Sequence, residues 1–569
     1  MTPPTPRAAA DQSARSAAAP HPGLWEALLS RTGRGTLHAW QDTAFTHTPW
    51  RDVVAEAHTM AAALRSAGVG PGTRVGAVLT NTPEAVRGLL AVWIAGGTVA
   101  SLPLPARGMT SAEYGDQLRT LAGQLDPGLL VLTPETALPA PPDLTGALPV
   151  TDWATLAAQS VTTGGHRVEP CPPGLDDIAF IQYSSGSTST PKGCALTPRA
   201  IAAQLGMMLD FAGSAPGRET IGCWLPLSHD MGVFGCLLNA WAYDFDLVLS
   251  TPERFAMAPR SWFRDLSEYG ATMTAGTSTA LHLATRAQSR TAALPRELTL
   301  RVLVLGAERV DWHTLDQARR RFAPSGLRPE AFMPAYGLAE ATLAAAATPW
   351  FREPVVRYFD GAALLDGEAA ETTPDAPRAV PLVSNGPPLP GVNLTPTRSG
   401  RVEEITLTSP SLAAGYYGDP RRTADRFPGG RFHTGDRGFL HQGDLYLTGR
   451  TDDMLSVGGR KIYATEIEAA LDGLGTLRHG SSVLLETTGT GPPRLVLLTE
   501  IRRRTDDFHR VAGQAAAVAA AKSGVALAEC RFLDRGALPR TPSGKIQRSR
   551  SRALLNQDRL RTVARVPFD

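Results

Sequence analysis

Between residues 50 and 307 short apolar runs alternate with amphipathic stretches, and this rhythm limits the fold more than any other feature. WRDVVAEAHTMAAALRSAGV (50–69) carries apolar residues at helical spacing and stops at the turn signal GPG. RVGAVLT then reads as a strand, PEAVRGLLAVWIAGG as a helix, and VASLPL and GLLVLT (128–133) as strands. FDLVLS (245–250), ATMTAG (271–276) and RVLVLGA (301–307) continue the series, separated by helices such as RSWFRDLSEYG. Such alternation predicts α/β layers with largely parallel sheets, because a parallel strand needs a crossover that a helix usually supplies.

The rhythm changes twice. Residues 399–449 read as short strands with Gly-rich turns (GRVEEITLTSP, GRFHTGD, GDLYLTGR), a β-rich subdomain. After Arg450 a helix (TEIEAALDGL), strands (SSVLLET, RLVLLTEIR), an Ala-rich helix (DDFHRVAGQAAAVAAAK) and a strand (AECRFLD) predict a compact α+β unit. With 569 residues, more than one core is expected. The expected division is a lead-in at 1–22, a large N-terminal α/β domain at 23–450 that includes the β-rich part, and a small α+β domain at 451–569. The acidic, proline-bearing stretch 351–378 shows little periodicity and reads as an inserted excursion or a long loop.

Composition excludes several classes. A formal charge of +2 makes no case for a nucleic acid or an anionic membrane. Five scattered cysteines without C-x-x-C spacing predict reduced thiols, not a disulfide frame or a zinc site. The opening MTPPTPRAAADQSARSAAAPHPG lacks the apolar core of a secretory signal, and no apolar run is long enough for a membrane span. A cytoplasmic protein is expected.

The stretch YSSGSTSTPKG (183–193) follows the apolar run IAFIQ and concentrates hydroxyls, glycines and a lysine. Those groups suit an anion: backbone N–H approaches closely, hydroxyls donate and the lysine neutralises charge. Counted from Gly186 the Walker A spacing fails, since Lys192 is followed by Gly193, so a P-loop kinase is excluded. Further motifs follow in order: WLPLSHDMG (224–232) with His229 and Asp230, LGAE (305–308), MPAYGLAEAT (333–342) with Glu340, FHTGD (432–436) with Asp436, TGRTDD (448–453) with Arg450 and Asp452, and LPRTPSGKIQR (538–548) with Lys545.

This ordered set resembles the adenylate-forming superfamily of acyl-CoA synthetases, nonribosomal-peptide adenylation domains and luciferases, from about residue 25 to 555. IQYSSGSTSTPKG, WLPLSHDMG, VLGAERV, FAPSGLRPEAFMPAYGLAEATL and LVSNGPPLPG look most like the fatty acyl-AMP ligases, which carry an insertion where 351–378 lies. The resemblance implies ATP and Mg²⁺ as cofactors, a carboxylic acid as substrate, and an acyl carrier protein or CoA as thiol partner. It assigns the departing phosphates to Ser184, Ser185, Gly186, Ser187, Thr188 and Lys192, and the metal to Glu340 and Thr188. Tyr336 would stack on adenine, with Gly306, Ala307, Glu308, Ala335 and Gly337 around it. Asp436 would hold the ribose hydroxyls, aided by Arg450. Lys545 and Glu340 would be catalytic, Lys545 bridging acyl oxygen and α-phosphate. His229 would shape the mouth of the acyl pocket, beside Asp230. Asp452 would be the hinge about which the small domain turns.

Three departures stand out. Ser189 replaces a usual glycine of the loop. TSTAL (277–281) stands where an aromatic pair is usual, so Gly276, Ser278, Thr279 and His282 predict a hydroxyl- and imidazole-bearing acid pocket suited to a short, aromatic or polar acid. LSVGGRKIYATEIE (455–468) looks more like acyl-CoA synthetases. Three functions therefore compete: an acyl-AMP ligase that loads a carrier protein, a stand-alone acyl- or aryl-CoA ligase, and a catalytically weak paralogue used for binding or regulation.

Overall fold

The computed structural model describes residues 23–29, 33–105, 109–137, 144, 146, 148–162, 167–184, 191–288, 294–395, 400–451, 454–457, 460–486, 494–502, 507–523, 525–540 and 546–568. Among them two large sheets form the body. The first has seven strands, with Thr98–Ser101, Arg74–Ala77, Leu129–Val131 and Val150–Thr151 running parallel beside Phe180–Ser184. Lys192–Leu196 and Gly415–Tyr416 close one edge antiparallel. The second has eight, its inner strands Phe332–Gly337, Val302–Leu305, Met273–Gly276, Thr220–Cys223, Asp246–Leu249 and Thr36–Gln41 all parallel, flanked by antiparallel Ala344–Ala347 and Ala44–Pro49.

Local chemistry starts the helices. Thr82, Thr197 and Thr251 each accept a backbone N–H three residues on, and each is followed by a proline whose fixed φ suits the first helical turn. One apolar core runs through both sheets and their helices, from Val75 and Trp93 to Phe234, Leu303 and Phe322. Buried Asn81 ties the sheets together: its amide donates to the carbonyls of Leu225 and Ser250, and its oxygen accepts from Leu227 N–H. The turn carrying His229 is thus held from the opposite sheet.

Asn393–Thr395, Glu403–Thr408, Phe432–His441 and Asp444–Arg450 form a four-stranded antiparallel sheet. Onto it packs the stretch that lacked periodicity. Val356–Asp360 pairs antiparallel with Ala379–Val383, and Asp360 caps the short helix Gly361–Leu365 by accepting from Ala362 and Ala363 N–H. Phe359 is buried, its ring 4.9 Å from Phe439 and 5.6 Å from Tyr446. Five helical residues are too few for a periodic signal, so the sequence could not reveal this order.

From 454 onward the chain packs round separate cores, the larger including Leu455, Ile467, Leu497, Val511 and Phe532. Its sheet pairs Leu477–Glu486, Leu495–Ile501, Leu527–Leu533 and the C-terminal Thr562–Pro567.

Candidate active site

A cavity of about 1320 Å³ opens at the carboxyl ends of the parallel strands in the eight-stranded sheet, where ligands of open α/β sheets usually bind. Gly306, Ala307, Glu308, Ala335, Tyr336, Gly337 and Glu340 line it, with His229 and Asp230 from the next strand's turn. Gly337 has no room for a side chain: a Cβ would overlap the Leu343 carbonyl, which accepts from Leu338 N–H at 2.7 Å. The chain therefore doubles back tightly, and Glu340 sits on that turn. Just beyond, Thr342 is held at φ 66°, ψ −52° with Leu343 N–H bonded to Ala341 O at 2.8 Å, a γ-turn of the rare, strained kind. A loop at 411–413 splints it. Thr342 Oγ1 donates to Ser411 O, Ser411 Oγ to Ala341 O, and Ala413 N–H to Glu340 O.

Tyr336 and Asp436 meet from different sheets. The Tyr336 hydroxyl donates to Asp436 Oδ2 at 2.6 Å, and Arg450 Nε lies 3.2 Å from Asp436 Oδ1. Asp436 and Arg450 are cross-strand partners in the antiparallel sheet, which places both at the cavity wall. Burial, then the neighbouring carboxylate, pushes the Tyr336 phenol well above its usual range, so it remains a donor. Tyr336→Phe deletes one charge-assisted hydrogen bond, worth roughly 1.5–3 kcal/mol, so KM for ATP should rise about tenfold or more with kcat little changed. Steady-state kinetics with ATP varied checks it; an unchanged KM would show that the pair does not organise the nucleotide site.

Lys192 begins a strand that pairs antiparallel with Phe180–Ser184. The sequence predicted Phe180–Ser184 but not Lys192–Leu196. Lys192 Nζ lies 5.8 Å from the Tyr416 ring centre, and the Tyr416 hydroxyl donates to Glu340 Oε1 at 2.7 Å. Burial lowers the Lys192 pKa, Glu340 opposes this, and Arg426, Arg422 and Arg450 lower it further. Cationic groups thus converge on one end of the cavity, an arrangement suited to polyphosphate. Tyr416 and the two arginines escaped the sequence reading, because AGYYGDPRRTADR gives no signal by itself and only the pairing of Tyr416 with Cys194 brings it to the lysine. Glu340 is one carboxylate facing this cluster, and one or two carboxylates plus phosphate oxygens are what Mg²⁺ usually takes, so the residues fit that ion.

His229 Nδ1 lies 2.5 Å from Asp230 Oδ1, and Asp230 accepts from Met231 N–H. They precede a π-helix, Met231–Leu238, a rare element found mostly at functional sites. From here the cavity continues as an apolar arm. Register puts Met273 beside Val302, with Ala275, Val304, Met333 and Ala335 on the same side of the sheet, and Met208 and Phe211 line the same arm from the helix Pro198–Phe211.

The TSTAL stretch behaves differently. Thr277 caps the helix Ser278–Ala287, Ser278 Oγ accepts from Asp311 N–H at 2.9 Å, and Glu308 Oε1 accepts from Thr279 N–H at 2.5 Å. The Ser278 hydroxyl and one Glu308 oxygen are therefore engaged with backbone. His282 stacks on His479 of the C-terminal domain, ring centres 4.0 Å apart. Gly276 ends its strand against the Trp262 ring, where a Cβ would clash.

Ser185, Gly186, Ser187, Thr188, Asp452 and Lys545 lie outside the described residues, and of Ser184 only the backbone is described. The flanks of Lys545 are described: Arg540 bridges to Ile546, Gln547 N–H donates to Pro539 O, and Arg540, Ile546, Gln547 and Arg548 line the same cavity as Tyr336 and Glu340.

Two α/β sheets, an antiparallel sheet and a smaller C-terminal domain that share one cleft are the architecture of an adenylate-forming enzyme. The profile of the AMP-binding enzymes matches residues 30–417, and the chain belongs to that family of ligases. The putative fatty-acid–CoA ligase fadD25 of Mycobacterium tuberculosis is 31% identical over 421 residues, 68% of this chain and 71% of that one. The medium-chain-fatty-acid–[acyl-carrier-protein] ligase JamA of Moorena producens is 30% identical over 402 residues, 66% of this chain and 67% of that one. A solved structure from work on fatty acyl-adenylate ligases of E. coli and L. pneumophila superposes with a TM-score of 0.85 at 25% identity, covering 94% of this chain and 98% of the other. No described helix is long and apolar enough to cross a membrane.

Proposed function

We propose that this enzyme activates an apolar, saturated carboxylic acid as its adenylate and passes the acyl group to the phosphopantetheine thiol of a carrier protein. One observation carries the reading: a single cavity is lined both by Lys192, Glu340, Tyr336, Asp436 and Arg450 and by the apolar side chains of Met208, Phe211, Met273, Val302 and Met333. An apolar lining of that kind favours an alkyl tail by about 0.8 kcal/mol per buried CH₂. The expectation of a short, aromatic or polar acid rested on Ser278, Thr279 and His282; of these, Ser278 Oγ accepts from Asp311 N–H and His282 stacks on His479, while the Met208–Met333 lining is apolar.

In the first half-reaction a carboxylate oxygen attacks the α-phosphorus, the bond from that phosphorus to the β-bridging oxygen breaks, and pyrophosphate departs. Asp436 and Arg450 hold the ribose, Tyr336 fixes Asp436 and lies against the adenine, and the hydroxyl-rich loop with Lys192 takes the leaving phosphates. Mg²⁺, held by Glu340, would neutralise phosphate charge. Lys545 neutralises charge shared between acyl and α-phosphate oxygens, and catalysis is otherwise positioning. His229 and Asp230 edge the junction of head and tail. In the second half-reaction the thiol sulfur attacks the acyl carbon, AMP leaves, and the thiol proton passes to solvent.

The relative named as an acyl-carrier-protein ligase favours the carrier protein; LSVGGRKIYATEIE and the relative named as a CoA ligase favour CoA. Product analysis with MgATP and butyric, octanoic, lauric or benzoic acid should give AMP and pyrophosphate, with kcat/KM rising along the saturated series. ADP as product would overturn the adenylation reading, and preference for benzoic acid would overturn the alkyl one. Supplying holo carrier protein and CoA separately decides the acceptor.

A further inference from the structure

The stacked imidazoles of His282 and His479 have no task in adenylate chemistry. The rings lie 4.0 Å apart and 10° from parallel, one on the helix Ser278–Ala287 of the large domain, the other on the strand Leu477–Glu486 of the C-terminal domain. His282 Nε2 is buried with no hydrogen-bond partner among the described residues. Beside the stack, a Cβ on Gly480 would sit 3.7 Å from Thr279 Oγ1, so Gly480 lies beside the Thr279 side chain of the large domain. The C-terminal side of this contact is tied to two cavity-lining residues: Arg540 donates to Gly480 O at 2.6 Å and to Ser481 Oγ at 2.8 Å, and Arg540 also bridges to Ile546. Residues 540 and 546 bracket the segment that contains Lys545. A second contact, Arg550 to Glu113 Oε2 at 2.7 Å, joins the domains through another helix.

We propose that His282 and His479 are positioning residues whose stack seats the C-terminal domain for adenylate formation, by holding the Gly480–Arg540 corner and, through Arg540, the cavity-lining Ile546 at the cleft. The proposal rests on the adenylation reading above. The family resemblance implies that the small domain turns for the thiol step; such a turn separates the rings, so the stack favours adenylate formation over transfer.

The same contact responds to acid. His282 faces His479, Arg286 on its own helix, Asp311 at the next helix cap, and Arg502; Asp472 stands 3.6 Å beyond, on His479 Nε2. Burial, then His479, holds the His282 pKa down to about 4, with Asp311 opposing. Unseated and hydrated, it returns toward its usual value of about 6.5. Seating is then fully favoured above that value and weakens as pH falls toward the lower one, by up to about tenfold near pH 5.5. Asp472, held up to about 6 by burial, acts in the opposite sense but is common to every variant below.

The test uses the full chain with His282→Ala and His282→Phe. Loss of one ring–ring contact should lower kcat for pyrophosphate release up to about tenfold in His282→Ala, with KM for ATP within about a factor of two. Transfer from preformed acyl-adenylate to thiol should be retained. His282→Phe should lose less kcat than His282→Ala at neutral pH and should lose the acid decline, its ratio to wild type rising as pH falls. Hydrogen exchange over 477–482 without substrate should quicken in His282→Ala and not in His282→Phe. Unchanged exchange and kcat in His282→Ala, or equal loss of both half-reactions, would overturn the proposal. If the wild type released no pyrophosphate with any acid, the adenylation reading would fail instead, and the exchange comparison would still decide whether the rings seat the domain.

Discussion

Lys545→Ala is expected to lower pyrophosphate release by about a hundredfold or more while leaving ATP affinity nearly intact, because an electrostatic donor acting on transition-state charge is lost from kcat and not from ground-state binding. The neighbours of Lys545, Ile546 and Gln547, line the cavity, and Gln547 N–H is fixed on Pro539 O at 2.9 Å, so the described residues on either side of Lys545 are held at the cleft. Single-turnover pyrophosphate release beside equilibrium nucleotide binding checks this. A variant within a factor of two of wild type would assign the role to another group, with Arg548, which lines the same wall, the first to examine.

Asp265→Ala should be the most damaging single change to stability away from the cleft, at about 3–5 kcal/mol, because it strands a buried guanidinium. Asp265 and Arg254 are 4% and 8% exposed and pair through both guanidinium nitrogens, Nη2 to Oδ1 at 2.9 Å. Arg254 also donates to Ser250 Oγ, and its guanidinium lies 3.8 Å over the Trp40 ring. This pair anchors the helix Pro252–Met257, whose Phe255 stacks on Trp224 at the start of the turn leading to His229. Thermal unfolding should show the large-domain transition falling steeply. The paired change Arg254→Met with Asp265→Leu should recover most of the loss, since no uncompensated charge remains. A single variant as stable as wild type would mean that water reaches the site.

The sequence was most legible where one residue's conformation depends on its neighbours. Thr197–Pro198 opens a helix as its chemistry demands, and the apolar runs at 245–250, 271–276 and 301–307 are parallel strands. Ala344–Ala347 was invisible, because four alanines have no strand preference of their own and pair only against Phe332–Gly337. The same limit hid Tyr416, which reaches Glu340 through a two-residue edge strand. Motif order brought Tyr336, Asp436 and Glu340 to one cavity. It could not tell that Ser278 would spend its hydroxyl on Asp311 N–H or that His282 would face the other domain, since helix rotation is set by packing.

The γ-turn at Thr342 sets stability and turnover against each other at one residue. A β-branched residue at φ 66° stores roughly 1–3 kcal/mol that glycine would not, so selection for heat resistance favours Thr342→Gly. Glycine would also lose the hydroxyl that locks the turn to Ser411, and with it the fixed aim of the Glu340 carboxylate two residues away. Strain relief and a fixed Glu340 are thus opposed at one side chain, and Thr342→Gly trades the first against the second.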